Sequence, residues 1–222
     1  MPVFDPRFEL YAITDQASAQ GRDDLTVARG LLEGGATCLQ YRAKKLSARE
    51  QWEVAVALRR LTLDHGVPFI INDRVDLALD CGADGVHLGQ DDLPIASARR
   101  LARLAGRADL VVGRSTHTLD QALDAEKDGA DYIGYGPLYA TQTKENNVPP
   151  VGAASLRDIV DSISVPVVAI GGIKADRLQE VAQRGGLHCA IVTALTSAGD
   201  VAAATREHLT AWRQAKRLAP RR

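Results

Sequence analysis

The chain has 222 residues, 45% of them apolar and 25% charged, the balance of a soluble globular protein with one sizeable core. A formal net charge of −1 and a pI near 6.5 argue against a general binder of nucleic acid or anionic membrane, so any anion must be met by a few positioned cations and backbone amides. Cys38, Cys81 and Cys189 are far apart and form no Cys-x-x-Cys pair, which excludes a disulfide framework or zinc site and predicts buried thiols in a reducing compartment.

The opening Met-Pro-Val-Phe-Asp has neither the basic nor the apolar region of a signal peptide, and no stretch reaches the roughly 18 apolar residues of a membrane span. A cytoplasmic protein is expected. Short β-rich apolar runs alternate with segments of helical period, the pattern of repeated βα units and a parallel sheet. Strands are predicted at 9–14, 37–42, 68–72, 85–88, 110–113, 132–135, 167–170 and 189–192. Runs such as Phe69-Ile70-Ile71 and Val167-Val168-Ala169-Ile170 predict strands buried on both faces. In the second helix Trp52, Val56, Arg59 and Leu63 share one line, with Ala55 and Leu58 beside it and Arg49, Glu53 and Arg60 left for solvent. Glycines at 34–35, 82, 129 and 185–186 each stand just before a strand, where a left-handed residue closes a helix. Eight such units close naturally into an α/β (β/α)8 TIM barrel of one domain spanning 1–222, with a core from about 8 to 205 and a frayed, solvated tail over 213–222. The alternative, an open doubly wound sheet, wants a phosphate fingerprint in the first loop, and Thr14-Asp15-Gln16-Ala17-Ser18 offers none.

In such a barrel the chemistry sits at the carboxyl ends of the strands. After strand 2, period two puts Gln40, Arg42 and Lys44 on one line, a set suited to a polyphosphate or simply to a solvated basic turn. Strand 3 ends in Asn72-Asp73-Arg74, where Asp73 is either a helix N-cap or a metal ligand. Strand 4 is followed by Asp91 and Asp92. Neighbouring strands lie about 5 Å apart, so Asp73 and one of these carboxylates can converge on a shared Mg²⁺. His87 is a candidate for proton transfer or a packed interior histidine. Ser115, after strand 5, caps the next helix or reaches a phosphate. The long connection after strand 6 carries Thr141, Thr143 and Lys144, a phosphate clamp on a lid. Gly171-Gly172 after strand 7 and Val192-Thr193 after strand 8 stand where barrels recurrently bind phosphate. A cationic, metal-competent cluster thus faces a separate phosphate site, which implies a bisphosphate or two phosphorylated substrates. No nucleophile sits beside a base, so positioning and electrostatics are favoured.

The motifs Tyr11-Ala-Ile-Thr-Asp15, Gln40-x-Arg42-x-Lys44, Ile71-Asn-Asp-Arg74, Ala83-Asp-Gly-Val-His-Leu-Gly-Gln90 with Asp92, Gly134-x-Gly-Pro137, Thr141-x-Thr-Lys144 and Ala169-Ile-Gly-Gly-Ile173 resemble, in this order, those of the thiamine phosphate synthase family. The resemblance implies a cytoplasmic transferase of thiamine biosynthesis. It would join hydroxymethylpyrimidine diphosphate to thiazole phosphate with loss of pyrophosphate, through a dissociative, magnesium-assisted step. It implies Mg²⁺ on Asp73 and Asp92. The pyrimidine diphosphate would lie on Gln40, Arg42, Lys44, Asn72, Ser115 and Lys144, and the thiazole phosphate on Thr141, Thr143, Gly172, Val192 and Thr193. Arg42, Lys44 and Lys144 would serve the departing group. The partners implied are these small molecules, with no nucleic acid or membrane and a monomer or small homo-oligomer. Three positions depart from the family pattern. Thr193 replaces a common Ser and keeps its hydroxyl, Arg114 stands where a small or apolar residue is usual beside Ser115, and Arg177 replaces a frequent Asn without expected consequence for chemistry. The rivals are a thiazole tautomerase of the same fold and a noncatalytic sensor of a thiamine precursor.

Overall fold

The computed structural model describes residues 9–141 and 148–220. Its strands are β1 (Leu10–Ile13), β2 (Cys38–Tyr41), β3 (Phe69–Asn72), β4 (Gly85–Leu88), β5 (Val111–Thr116), β6 (Tyr132–Tyr135), β7 (Val167–Ile170) and β8 (His188–Ile191). They follow one another in a closed parallel barrel in which β1 pairs with both β2 and β8. The helices are α1 (Asp24–Glu33), α2 (Ala48–His65), α3 (Val75–Asp80), α4 (Ile95–Leu104), α5 (Leu119–Lys127), α6 (Leu156–Ser162), α7 (Leu178–Gln183), α8 (Thr193–Thr196) and α9 (Val201–Leu218). Each of the eight predicted strands has its counterpart. The predicted eighth strand began one residue late, and β5 runs past its predicted end at 113 to take in Ser115 and Thr116.

Local chemistry starts the helices. Asp23 accepts from the Thr26 amide, Ser47 and Glu50 form a reciprocal capping box, and Thr118 and Asp200 cap α5 and α9. The helix-closing glycines at 35, 82, 129 and 185 have positive φ, as their placement predicted. The core has two compartments. Tyr11, Cys38, Ile70, Val111, Tyr132 and Val168 fill the barrel interior, while Leu10, Leu39, Phe69, Ile71 and Val86 point outward into the helical shell. That two-sided burial explains the unbroken apolar runs.

Three expectations are corrected. The buried face of α2 is centred on Ala55, Leu58 and Thr62, whereas Trp52 and Leu63 are exposed; the Trp52 indole instead donates to Asp80. The chain does not fray after Trp212, because α9 continues to Leu218, Ala215 is buried, and Arg213 and Lys216 both pair with Glu9 at 2.7 Å. Cys38 and Cys189 are buried as expected, but Cys81 is only half-buried. Among the described residues no helix is long and apolar enough to cross a membrane.

Candidate active site

The inward faces of the strands build a polar chain across the barrel. Gln40 donates to the Tyr11 hydroxyl at 2.7 Å, the Tyr11 and Tyr132 hydroxyls meet at 3.0 Å, Tyr132 meets His87 Nδ1 at 3.0 Å, and His87 Nε2 meets Ser115 Oγ at 2.9 Å. Burial pushes both tyrosines well above the ordinary phenol range, so their protons stay on to serve these bonds. Glycines make the space. A Cβ on Gly113 would lie 2.2 Å from Tyr132 Cζ, and one on Gly134 would lie 3.2 Å from His87 Cε1. His87 is therefore a packed, hydrogen-bonded interior residue, the second of its two readings. Ser115 lies on β5 and faces His87, while Thr118 caps α5, so the capping alternative for Ser115 falls. Arg114 points the other way, donating to the carbonyls of Gln90 and Leu93 at 3.2 Å, and does not crowd Ser115.

At the mouth the predicted line of Gln40, Arg42 and Lys44 fans out, because β2 ends at Tyr41 and period two ends with it. Gln40 stays inside the barrel. Arg42 turns toward β1 and pairs with Asp15 at 2.7 Å, and Lys44 turns toward β3 and pairs with Asp73 at 2.5 Å. Arg42 is thus a sheltered cation with a buried carboxylate partner, whereas Lys44 remains exposed while it pairs with Asp73.

Asp73 does not cap α3: Arg74 holds that position, with no side-chain cap bond. Its φ of 65° is left-handed, a strained conformation for a residue other than glycine, and it turns the carboxylate back toward the mouth. Burial raises the Asp73 carboxyl above its usual range; Lys44 opposes this, and Asp92, by hydrogen bond and like charge, adds to it. Asp92 is fixed by the Gly89 amide at 2.6 Å, whereas Asp91 is exposed, so the choice between them falls on Asp92. The charge of Asp92 makes the Asp73 carboxylate costlier to keep ionised, and a cation relieves that cost. The described residues hold no cluster of three or more His, Cys, Asp or Glu, so a cation here would draw its other oxygens from substrate and water, as Mg²⁺ does beside polyphosphates. Asn72 ends β3, half-buried, paired in register with His87.

The opposite rim comes from β6 to β8. The Gly136–Pro137 peptide is cis, and the following chain runs along β7, with Leu138 N bonded to Ile170 O at 2.9 Å and Tyr139 N to Gly171 O at 3.1 Å. Only glycine fits at 171 and 172: φ is 98° and 63°, and a Cβ would lie 2.4 Å from Pro137 Cα and 2.7 Å from Ala140 O respectively. Arg177, expected to be without consequence for chemistry, donates to the Gly172 carbonyl at 2.7 Å and lies 4.3 Å over the Tyr139 ring. It therefore ties the two glycines to the loop that carries Thr141. Val192 precedes α8, whose first residue is the exposed Thr193. Thr143 and Lys144 lie outside the described residues. Asp15, quoted only within a motif, and Arg177, named only as a departure from the family pattern, were given no role in the sequence reading; for Asp15 the available signal was a carboxylate directly after an apolar strand, the same signal that marked Asp73.

The strand ends of one closed barrel thus carry Arg42, Lys44, Asp73 and Asp92 after β2 to β4, and Gly172, Val192 and Thr193 after β7 and β8. The family model described as thiamine monophosphate synthase matches residues 10–195. The thiamine-phosphate synthase of Chloroflexus aurantiacus is 46% identical over 200 residues, 90% of either chain. That of Shouchella clausii is 42% identical over 208 residues, 94% of this chain and 98% of its own. The solved thiamine phosphate pyrophosphorylase of Pyrococcus furiosus superposes with a TM-score of 0.85 at 39% identity, covering 94% of this chain and 97% of its own. Barrel geometry, motif order and sequence likeness agree: the chain belongs to the thiamine monophosphate synthase family.

Proposed function

We propose that this protein is a thiamine phosphate synthase, joining hydroxymethylpyrimidine diphosphate to thiazole phosphate to give thiamine phosphate and pyrophosphate. The observation that carries the reading is the meeting of Asp73 with Asp92 and Lys44 at the strand ends, in a chain of this family. The carbon–oxygen bond to the diphosphate breaks first, its electron pair leaving with pyrophosphate. The electron-rich aminopyrimidine carries the resulting cation until the thiazole nitrogen donates its pair to the methylene carbon. Arg42, Lys44 and Lys144 meet the charge that develops on the departing group, which is electrostatic assistance without a nucleophile. Gln40, Asn72 and Ser115 orient the pyrimidine. Thr141, Thr143, Gly172, Val192 and Thr193 hold the thiazole phosphate. Mg²⁺ bound by Asp73 and Asp92 would supply further charge neutralisation at the leaving oxygens. On this reading the compartment is the cytoplasm and the partners are small phosphorylated molecules. Neither the tautomerase nor the sensor gains support, since the close relatives bear the synthase name.

The test is pyrophosphate release and thiamine phosphate formation by purified protein with both substrates and Mg²⁺. Asp73→Ala should lower kcat/KM by about a hundredfold or more, ~3 kcal/mol of transition-state stabilisation. Full rate in excess chelator, or in Asp73→Ala, would sink the metal assignment.

A further inference from the structure

The loop between β1 and α1 belongs to the motif Tyr11-Ala-Ile-Thr-Asp15, yet none of its residues has a part in the reading above. Asp15 is a buried carboxylate with a side chain only 6% exposed, beside an Arg42 side chain 13% exposed. A charge in that position is costly unless it is paired and hydrogen-bonded, so it calls for a reason. Helix capping is not that reason, because Asp23 caps α1.

Both oxygens of Asp15 are used in a directional way. Oδ1 accepts from Arg42 NH1 at 2.7 Å, and Oδ2 accepts from Ser18 Oγ at 2.9 Å. The Ser18 and Thr196 hydroxyls meet at 2.6 Å. A carboxylate only accepts, so Ser18 donates to Asp15, and the Thr196 proton is shared between Ser18 Oγ and the Val192 carbonyl 3.2 Å away. Arg22 fastens the same loop, reaching the Thr196 carbonyl at 2.7 Å and the Ala19 carbonyl at 2.9 Å. Thr196 is the last residue of α8, the helix that opens with Thr193. A single hydrogen-bonded strut therefore runs from Arg42, on the diphosphate rim, to the helix on the monophosphate rim.

We propose that Asp15 is a positioning residue: held by Ser18 against α8, it fixes the Arg42 guanidinium where the diphosphate of the pyrimidine substrate arrives. The inference rests on the role given to Arg42 under the proposed function. An arginine side chain has many rotamers, and fixing one before substrate binds removes an ordering cost from the bound state. The alternative, that Asp15 merely balances the charge of Arg42, makes the opposite prediction. Removing the balancing charge would then tighten the hold on an anion.

The experiment measures steady-state kinetics with each substrate varied, together with calorimetric binding of pyrophosphate in Mg²⁺, for wild type, Asp15→Asn, Ser18→Ala and Arg42→Ala. Asp15→Asn should lower kcat/KM for the pyrimidine diphosphate by roughly ten- to a hundredfold and weaken pyrophosphate binding, as expected for a displaced catalytic cation. Its KM for thiazole phosphate should stay within about twofold. Ser18→Ala, which leaves the ion pair and removes its anchor, should lie between wild type and Asp15→Asn, and keeps the proposal testable if Asp15→Asn does not fold. Loss in Arg42→Ala with unchanged or tighter pyrophosphate binding in Asp15→Asn, or with wild-type kinetics in a Ser18→Ala protein when Asp15→Asn is unfolded, overturns the positioning role alone. Full activity of Arg42→Ala overturns the reading of the site, and the positioning role with it.

Discussion

Substituting Gly113 by alanine probes the interior chain of hydrogen bonds more sharply than removing any member of it. The added Cβ would lie 2.2 Å from Tyr132 Cζ and 2.5 Å from its hydroxyl oxygen, distances no real side chain tolerates. Tyr132 is fully buried, with Tyr11 edge-on at 6.1 Å and His87 at 5.4 Å between ring centres, so the phenol has no open side to retreat to. Forcing one carbon into a packed core costs about 1–3 kcal/mol. Displacing the phenol also breaks its bonds to Tyr11 and His87, at about 1 kcal/mol each. The sum is about 3–5 kcal/mol, or roughly 6–20 °C in Tm for a domain of this size. Urea unfolding followed by circular dichroism measures it. A double-mutant cycle with Tyr132→Leu, which removes the colliding atoms, should return at least about 1 kcal/mol of coupling. A Gly113→Ala protein within about 0.5 kcal/mol of wild type, with no coupling to Tyr132, would refute the packing argument.

Two further outcomes follow from the rims of the barrel. Arg177→Ala removes the bond to the Gly172 carbonyl and the stacking on Tyr139; the KM for thiazole phosphate should rise about three- to tenfold, with the KM for the pyrimidine diphosphate unchanged, and an equal rise in both would contradict a local role. At the other end of the barrel, burial alone would raise the Glu9 carboxyl, but Arg213 and Lys216 outweigh it and hold Glu9 below its ordinary value of 4.5. A lowered carboxyl stabilises the fold above its ordinary range, and that contribution is lost as pH falls through the lowered value. Glu9→Gln should therefore cost up to about 1 kcal/mol at neutral pH, less at high salt, and nothing in strong acid. A mutant-to-wild-type difference that stays constant across pH would count against the ion-pair account.

The barrel was legible because its signals are local: apolar runs buried on two faces, glycines closing helices, and polar residues at strand ends. Boundaries were less so. Ser115 was read as a loop residue because a polar Arg-Ser-Thr segment hides the continuation of β5, which pairing with β6 and the interior partner His87 make favourable. The same limit misdirected Gln40, Arg42 and Lys44, since alternation holds within a strand and fails one residue beyond it. In α2, Trp52 and Leu63 drew the apolar stripe one row away from its buried centre, where small Ala55 and polar Thr62 carry little hydrophobic signal. Residue type and strand order pointed to Asp73 with either Asp91 or Asp92, and the resemblance alone singled out Asp92, but the left-handed turn that aims Asp73 has no sequence mark beyond Asp being tolerant of it. Asp15 and Arg177 went unassigned because each has a partner in another loop, Arg42 for Asp15 and Tyr139 for Arg177. Composition does not register such contacts.

Closing the barrel between β1 and β8 has a consequence for the order in which the protein matures. Leu10, Tyr11 and Ala12 find their partners at Cys189, Ala190 and Ile191, and Ser18 meets Thr196 across 178 residues of chain. A nascent chain halted before β8 has two open strand edges and lacks α8, so the loop that holds Asp15 has nothing to lean on. Contacts of such long separation form late and slowly, and until they do the growing chain is a template for self-association. The two rims assigned above to the substrates therefore come together in the last act of folding, and on that assignment a partial barrel has no partial activity to offer.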